Sequence, residues 1–234
     1  MAPSALGMLL ALLLSACSEP AVRTEAPTPA APTAATPPTP QNQTPTPVAM
    51  ATPETPPPAA NVPTELATLG SGCFWCSEAV LERLDGVVAV VSGYCGGNVD
   101  RPTYEQICTG TTGHAEVVQV TFNPKRITYE HLLEYFFKLH DPTTLNRQGP
   151  DEGTQYRSAI FYHSEQQKQV AEQTITKLQP KFHNGIVTEV TAAPHFWPAE
   201  DYHQDYFTKN PDNRYCRAMI PPKLQKLGLD VFKK

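Results

Sequence analysis

The sequence predicts an α/β (α+β) fold, with helices covering a sheet, for the C-terminal part of the chain. From about residue 64 onward, segments with strand-like patterns alternate with segments of helical spacing. Before that point the composition is different, because 14 of the 25 prolines in the 234 residues lie between Pro20 and Pro63. A proline-rich stretch with few large apolar side chains cannot bury enough surface to fold. We therefore expect one folded domain, residues 64–234, behind a disordered linker.

The predicted domain alternates between five strands and four helices. Apolar or β-branched runs predict strands at residues 65–69, 87–94, 115–122, 157–163 and 186–193. Helical spacing predicts helices at residues 74–84, 128–140, 164–178 and 199–207, with Thr128 and Ser164 as N-caps of the second and third. The strand at residues 87–94 is a β-branched run, and we expect it to be buried. Residues 210–213, rich in Asn, Asp and Pro, are expected to form a mobile loop.

The first 16 residues have the features of a processing signal. The apolar run at residues 5–14 is too short to span a bilayer and fits the core of a signal peptide. It ends in small residues before Cys17, which resembles the lipobox of bacterial lipoproteins. This resemblance implies cleavage before Cys17 and acylation of its thiol; the alternative is an ordinary signal peptide with an incidental cysteine. Residues 17–63 would then hold the domain on the order of 100 Å from the membrane.

The expected location follows from the same segment. A lipid anchor would attach the protein to a bacterial membrane, and the anchor would be its only contact with the membrane. Ser18 after the acylated cysteine resembles the signal for the outer membrane, so we expect the domain to face the periplasm.

Composition also excludes some partners. The formal net charge is -5 and the sequence pI about 5.8, without a basic stripe interleaved with aromatic residues, so nucleic acid is excluded as a partner. No second cysteine pair has the spacing of a zinc site, and Ser77 stands where a haem-attachment motif needs histidine. We expect neither a metal nor an organic cofactor.

Cys73 has the sequence context of a reactive thiol. Beyond Cys17, five cysteines remain in a chain expected to leave the cytoplasm, and this odd number indicates a working thiol rather than a purely structural set of disulfides. Cys73 follows Gly72 and opens a predicted helix, whose free N–H groups favour the thiolate. The alternative is an inert, buried cysteine. Cys76 completes a C-x-x-C motif, so a thioredoxin-like thiol-disulfide oxidoreductase is a rival interpretation.

Glu116 is the candidate acid. Alternation in the strand at residues 115–122 places Glu116 on the same face as Val118, Val120 and Phe122. A carboxyl group on an apolar face is desolvated, which raises its pKa and keeps a proton available for transfer to an oxygen. The alternative is that Glu116 lies at a solvated strand end without a role.

Three motifs together resemble the A-type peptide methionine sulfoxide reductases. They are Gly-Cys-Phe-Trp at residues 72–75, Gly-His-Ala-Glu at residues 113–116 and Gly-Thr-Gln-Tyr-Arg-Ser at residues 153–158. The resemblance extends over about residues 66–226. It implies a two-layer α/β sandwich around a mixed sheet with a ferredoxin-like core. It further implies a monomer that reduces methionine S-sulfoxide, in proteins or free, and that a thioredoxin-like dithiol recycles.

The resemblance also assigns roles to individual residues. Cys73 corresponds to the nucleophile that becomes a sulfenic acid, and Glu116 to the acid that protonates the sulfoxide oxygen. Phe74 and Trp75 correspond to the wall that holds the methyl group, and Tyr104 and Tyr156 to hydrogen-bond partners of the sulfoxide oxygen. Asp151 corresponds to a further polar member of the pocket, and Cys216 to the resolving cysteine. Cys76 departs from the glycine that many members have there, so Cys76, or a relay through both thiols, is an alternative to Cys216 as the resolving thiol.

Overall fold

The structure, a computed structural model, describes residues 63–231. The predicted signal peptide, Cys17 and all of the predicted linker except Pro63 lie outside the described residues. Within residues 63–231 no helix has the length and apolar character needed to cross a membrane.

Strands and helices alternate along the domain as predicted. The strands are β1 (Glu65–Ser71), β2 (Val87–Cys95), β3 (Ala115–Phe122), β4 (Arg147–Gln148), β5 (Asp151–Glu152), β6 (Ser158–Tyr162), β7 (Glu189–Ala192) and β8 (Trp197–Pro198). The helices are α1 (Phe74–Leu81), α2 (Tyr104–Cys108), α3 (Tyr129–Leu139), α4 (Glu165–Leu178), α5 (Tyr206–Lys209) and α6 (Arg214–Lys226). The predicted N-caps are confirmed, since Thr128 and Ser164 accept hydrogen bonds from the backbone in the first turns of α3 and α4.

The sheet is mixed and has a ferredoxin-like centre. Its six strands run in the order β7-β6-β1-β3-β2-β8, and every neighbouring pair is antiparallel except β6 and β7. The four central strands, β6-β1-β3-β2, come from a β-α-β-β-α-β succession in which β3 lies between the parallel strands β1 and β2. The predicted two-layer sandwich around a mixed sheet is therefore confirmed.

The main core lies between the sheet and the helices. One face of the sheet supplies Leu69, Val120 and Phe122, which are fully buried among apolar residues of α1, α3, α4 and α6. On the opposite face Val117 and Phe161 belong to a smaller cluster that Phe196 covers. Glu116 belongs to the face that carries Val120 and Phe122, as alternation predicts.

The prediction that the second strand is buried is wrong for its first half. Val88 of β2 is 61% exposed and Val91 is also exposed, whereas Tyr94 and Cys95 are fully buried. The other edge of β2 meets β8 only at Gly93 and Tyr94. A β-branched run reports a preference for extended backbone, but burial depends on what covers the strand.

The predicted helix at residues 199–207 is divided in two. Asp201–His203 form a single 3₁₀ turn and α5 begins at Tyr206. Between them Asp205 has a φ of 54°, a left-handed conformation that a continuous right-handed helix excludes. The break turns Tyr206 toward α1.

The sequence prediction also misses α6. Asn213 caps this helix through its side chain, which accepts a hydrogen bond from the Cys216 amide at 3.0 Å. The predicted loop at residues 210–213 is the turn between α5 and α6, but the prediction stops short of Cys216, which lies in the helix and is 0% exposed in the core. Pro221 and Pro222 inside the helix weaken the helical signal of the sequence.

Candidate active site

Cys73 lies at the junction of β1 and α1. Gly72 makes the turn with a φ of 89°, and a side chain at this position would collide with Gln148. Cys73 is the N-cap of α1, and its carbonyl accepts hydrogen bonds from the amides of Cys76 and Ser77. The predicted position at a helix start is confirmed, and it places the sulfur beside the first turn of α1.

A small pocket opens at this helix start. Its volume is ≈ 170 Å³. Pockets for whole small-molecule ligands typically measure about 300–1,000 Å³, so this pocket has room for the end of a side chain only. All seven residues predicted for catalysis and substrate binding line it, together with one that the sequence did not single out: Cys73, Phe74, Trp75, Tyr104, Glu116, Asp151, Tyr156 and Tyr215.

Glu116 reaches the pocket from the centre of the sheet. It lies on β3 opposite Tyr94 of β2 and is 2% exposed. Its Oε2 accepts a hydrogen bond from the Phe74 amide at 3.1 Å. Burial raises the pKa of Glu116 well above its ordinary value, and the charge of Cys73 raises it further, although the Phe74 amide opposes this shift. The sequence prediction of a desolvated, proton-carrying acid is supported.

The prediction that the helix start favours the thiolate of Cys73 is wrong for the free protein. Cys73 is 8% exposed. Burial raises its pKa well above the ordinary value, and the adjacent Cys76 thiol raises it further, although the Cys76 amide and the Tyr215 hydroxyl lower it. The Phe74 amide, which would stabilise a thiolate, is already donated to Glu116. Desolvation therefore outweighs the helix dipole, and burial favours the protonated form of both the thiol and the acid.

Tyr104 and Tyr156 form the polar part of the pocket. Tyr104 opens α2, where its amide donates to Glu200 Oε1 at 2.9 Å, and Tyr156 ends the 3₁₀ turn at Thr154–Tyr156. Burial raises the pKa of both phenols, and the charge of Glu116 adds to each shift. Both hydroxyls therefore remain protonated and can donate hydrogen bonds to an oxygen in the pocket.

Trp75 forms the aromatic wall, and the segment before α6 fixes its position. Its ring stacks on Tyr206 with centroids 3.7 Å apart and planes 7° apart. Its indole Nε1 donates to His203 Nδ1 at 3.1 Å. His203 is buried, and burial lowers its pKa, so it is neutral and carries its proton on Nε2. The sequence analysis missed these two supporting residues, although aromatic and acidic side chains are dense at residues 196–206.

Asp151 and Tyr215 close the remaining side of the pocket. The Tyr215 hydroxyl donates a hydrogen bond of 2.5 Å to Asp151 Oδ2. Burial raises the pKa of Asp151, but this hydrogen bond opposes the shift. Tyr215 was not predicted from the sequence. The one sequence feature that points to it is its position directly before the candidate thiol Cys216.

The two candidate resolving cysteines have different relations to Cys73. Cys76 lies one turn further along α1, on the helix face next to Cys73, and its thiol contributes to raising the pKa of Cys73. Cys216 lies in the first turn of α6, which packs on α1. Burial raises the pKa of Cys216 to about 12, and the nearby Cys73 adds to this shift. All five cysteines in the described part of the chain are free thiols.

Comparison with known proteins identifies the family. The sequence profile described as "Peptide methionine sulfoxide reductase" matches residues 65–234. The chain belongs to the peptide methionine sulfoxide reductase family. Peptide methionine sulfoxide reductase MsrA of Haloquadratum walsbyi is 55% identical over 163 residues, which cover 70% of this chain and 94% of that protein. Peptide methionine sulfoxide reductase MsrA of Acinetobacter baumannii (strain AYE) is 58% identical over 161 residues, 69% of this chain and 92% of that protein.

A solved structure agrees with this assignment. The crystal structure of Mxr1 from Saccharomyces cerevisiae in reduced form matches with a TM-score of 0.64 and 40% identity, covering 67% of this chain and 91% of that chain. The A-type resemblance is thereby confirmed: this reductase is an oxidoreductase that acts on methionine sulfoxide. The family assignment favours sulfoxide reduction over the rival interpretation of the C-x-x-C pair as the motif of a thiol-disulfide oxidoreductase.

Proposed function

We propose that the pocket reduces the S-sulfoxide of methionine with Cys73 as the nucleophile and Glu116 as the general acid. The observation that carries this proposal is the buried Glu116 carboxyl group next to the Cys73 thiol, both with raised pKa values, at the end of one aromatic pocket. A sulfoxide sulfur becomes a good electrophile when its oxygen is protonated, and a protonated carboxyl group in an apolar site can supply that proton.

The lining of the pocket suits the sulfoxide group of methionine. Phe74 and Trp75 would hold the methyl group against their rings. The hydroxyls of Tyr104 and Tyr156 would donate hydrogen bonds to the sulfoxide oxygen on the side where Glu116 protonates it. The pocket volume of ≈ 170 Å³ limits recognition to the end of the side chain, which is compatible with both protein-bound and free methionine sulfoxide.

The first step is a transfer of oxygen between two sulfurs. Glu116 gives its proton to the sulfoxide oxygen, and the proton of the Cys73 thiol restores the Glu116 carboxyl group. The Cys73 sulfur attacks the sulfoxide sulfur and forms a sulfur–sulfur bond. As this bond breaks, the protonated oxygen passes as a hydroxyl group from the methionine sulfur to the Cys73 sulfur, so that Cys73 becomes a sulfenic acid and methionine leaves. The methionine sulfur is reduced by two electrons and the Cys73 sulfur is oxidised by two, so no cofactor is required.

For the recycling steps we propose a relay through both candidate cysteines. The Cys76 thiol lies one helical turn from Cys73 and influences its pKa, so we propose that it displaces water from the sulfenic acid and forms the Cys73–Cys76 disulfide. The Cys216 thiolate then attacks the Cys76 sulfur, which frees Cys73 and leaves a Cys76–Cys216 disulfide. A thioredoxin-like dithiol reduces this disulfide by a second exchange. Asp151 is proposed as a polar partner at the pocket rim.

The activity can be tested with a small methionine sulfoxide and dithiothreitol. The purified protein should reduce the S epimer, which a plain thiol-disulfide oxidoreductase does not do. Cys73→Ser should abolish this turnover because no other group in the pocket can accept the oxygen. Cys95→Ala is the matched control, since Cys95 is equally free but belongs to the small cluster on the opposite face of the sheet. Appreciable turnover by Cys73→Ser would exclude the proposed nucleophile.

We also propose that the natural protein is a lipoprotein, with cleavage before Cys17 and residues 17–63 as a tether. The support is the sequence alone: an apolar run at residues 5–14, small residues before Cys17 and a proline-rich stretch behind it. Ser18 supports an outer-membrane location facing the periplasm. Expression in a Gram-negative bacterium with radiolabelled palmitate should label the protein, and Cys17→Ser should remove the label. Labelling that persists in this variant would place the acyl group elsewhere.

A further inference from the structure

Tyr215 and Cys216 have different surroundings although they are adjacent in the first turn of α6. Tyr215 lines the catalytic pocket, whereas Cys216 is 0% exposed in the main core. Successive residues of an α-helix point about 100° apart. While the first turn of α6 is intact, the phenol therefore occupies the pocket and the thiol stays in the core.

Contacts on three sides hold the phenol in place. Its hydroxyl donates to Asp151 Oδ2 at 2.5 Å, and its ring lies edge-on to Trp75 with centroids 6.3 Å apart. The hydroxyl also faces Cys73, where hydrogen bonding from it favours the thiolate. The single proton of the hydroxyl can be donated to Asp151 or to the Cys73 sulfur, but not to both at once.

We propose that Tyr215 is a positioning residue for the recycling step: its hydrogen bond to Asp151 is a latch that keeps Cys216 in the core until the chemistry at Cys73 has occurred. Turning Cys216 toward the thiols of α1 requires the first turn of α6 to rotate, and this rotation withdraws the phenol from the pocket. The oxygen that a sulfenic acid adds at Cys73 would compete for the same space and the same proton. This inference rests on the proposed role of Cys216 in recycling.

The test measures how often Cys216 becomes accessible in the reduced protein, without any turnover. The protein is incubated with iodoacetamide, and the labelling rates of Cys216 and Cys95 are followed by mass spectrometry. Cys95 is the internal control because it is also 0% exposed and because burial raises the pKa of both thiols to about 12. Cys95 lies in β2, so its labelling reports opening of the sheet, whereas Cys216 can also be released by opening of the first turn of α6. Once exposed, neither thiol keeps the pKa shift that burial causes.

Tyr215→Phe keeps the ring and removes the hydroxyl. A hydrogen bond to a charged group typically lowers the population of an opened state by about ten- to a hundredfold. Without this bond, the labelling of Cys216 should therefore accelerate by about that factor. Labelling of Cys95 should stay within about twofold, since residues remote from the change are coupled to it only through global unfolding. Asp151→Ala should accelerate Cys216 by a similar factor, and the double variant by no more than either single variant, because both remove the same bond.

Two outcomes would overturn the latch. Equal acceleration of Cys216 and Cys95 would mean that the hydroxyl contributes to the stability of the whole domain only. Unchanged labelling of Cys216 in Tyr215→Phe would mean that the hydrogen bond does not hold the helix turn. Neither outcome affects the assignment of Cys216 to recycling, which is tested separately by donor-dependent turnover of Cys216→Ser.

Discussion

At the scale of single residues, the proposed mechanism depends on two groups whose protonated forms are favoured by burial. The Cys73 thiol and the Glu116 carboxyl group share one pocket, and the charge of Cys73 raises the pKa of Glu116. A site built this way avoids placing two negative charges side by side in an apolar environment. Chemistry begins when a sulfoxide oxygen enters and accepts a proton.

The first prediction concerns the acid. Glu116→Gln preserves the size and polarity of the side chain but removes the transferable proton. General acid catalysis typically contributes about 10²- to 10⁴-fold, so kcat/KM for methionine sulfoxide should fall within that range. Steady-state assays with dithiothreitol provide the measurement. A loss of less than about threefold would transfer the role of acid to Tyr104 or Tyr156.

Glu116→Gln should make the folded protein more stable, although it makes the enzyme less active. The folded-state pKa of Glu116 is raised above that of the unfolded chain, so its contribution to stability is complete at low pH and is lost as pH rises through the folded pKa. At neutral pH the native carboxyl group is therefore destabilising, and Glu116→Gln should increase the free energy of unfolding. Urea titrations at pH 7 and pH 4 should show a gain that is larger at pH 7. A gain in stability together with a loss of activity would exclude misfolding as the cause of the kinetic effect.

At the scale of elements, the site depends on the starts of helices. Cys73 precedes α1, Tyr104 opens α2, and Tyr215 and Cys216 lie in the first turn of α6. Helix starts carry free amides and depend on caps, so they are the parts of a helix that open with least cost. Cys216, the proposed recycling thiol, is buried in such a turn, and we propose that opening of this turn releases it.

The relay predicts different defects for the two resolving cysteines. Cys216→Ser should reduce thioredoxin-supported turnover by at least about tenfold while dithiothreitol still supports it, because the small dithiol can reduce the Cys73–Cys76 disulfide directly. Cys76→Ser should slow the disappearance of the sulfenic acid after one equivalent of sulfoxide. Trapping with dimedone and counting free thiols would measure both. If Cys216→Ser retains full activity with thioredoxin and Cys76→Ser loses it, the Cys73–Cys76 pair alone is the recycling disulfide.

The cap of α6 provides an independent test of this element. Asn213 Oδ1 accepts the Cys216 amide proton at 3.0 Å. Asn213→Ala should cost about 1 kcal/mol of unfolding free energy, the usual effect of losing an N-cap. Asn213→Ser is the matched control, since a serine hydroxyl can accept the same hydrogen bond. Equal stability of the two variants in urea titration would show that the cap is not used.

At the scale of the whole molecule, a buried histidine joins the helical layer to the sheet. His140 follows α3 and donates through Nδ1 to the Phe136 carbonyl at 2.7 Å, while its Nε2 accepts from the Ser158 hydroxyl of β6 at 2.8 Å. Burial lowers the pKa of His140 to about 4. The neutral ring is thus part of the packing between the two layers.

This arrangement predicts a loss of stability in acid. The unfolded chain takes up a proton at His140 near pH 6.5, whereas the folded protein does so only near pH 4, so stability falls as pH decreases through that interval. The full effect is about 3 kcal/mol, from 1.36 kcal/mol per pH unit. Unfolding free energies at pH 7 and pH 4.5 should differ by about 2 to 3 kcal/mol more in the wild type than in His140→Gln. Identical pH dependence of the two proteins would show that the folded protein protonates His140 as readily as the unfolded chain does.

Features that follow from local periodicity and local turns could be predicted from the amino-acid sequence alone. Alternation placed Glu116 on the core face of β3, the glycine turn placed Cys73 at a helix start, and Thr128 and Ser164 marked where helices begin. The motifs around these residues were sufficient to identify the family. Such features could be predicted because they depend on neighbours within about one or two turns along the chain.

Only the tertiary structure decided the protonation of Cys73, the location of Cys216 and the place of Tyr215 in the pocket. Each depends on segments far apart in sequence: Glu116 occupies the amide that would stabilise the thiolate, and α6 packs on α1 although prolines weaken its sequence signal. The pKa of a thiol reflects how much water the fold removes around it, which no local pattern reports. For the same reason β2 is exposed along half of its length despite its β-branched residues, because a strand is buried only where another part of the chain covers it.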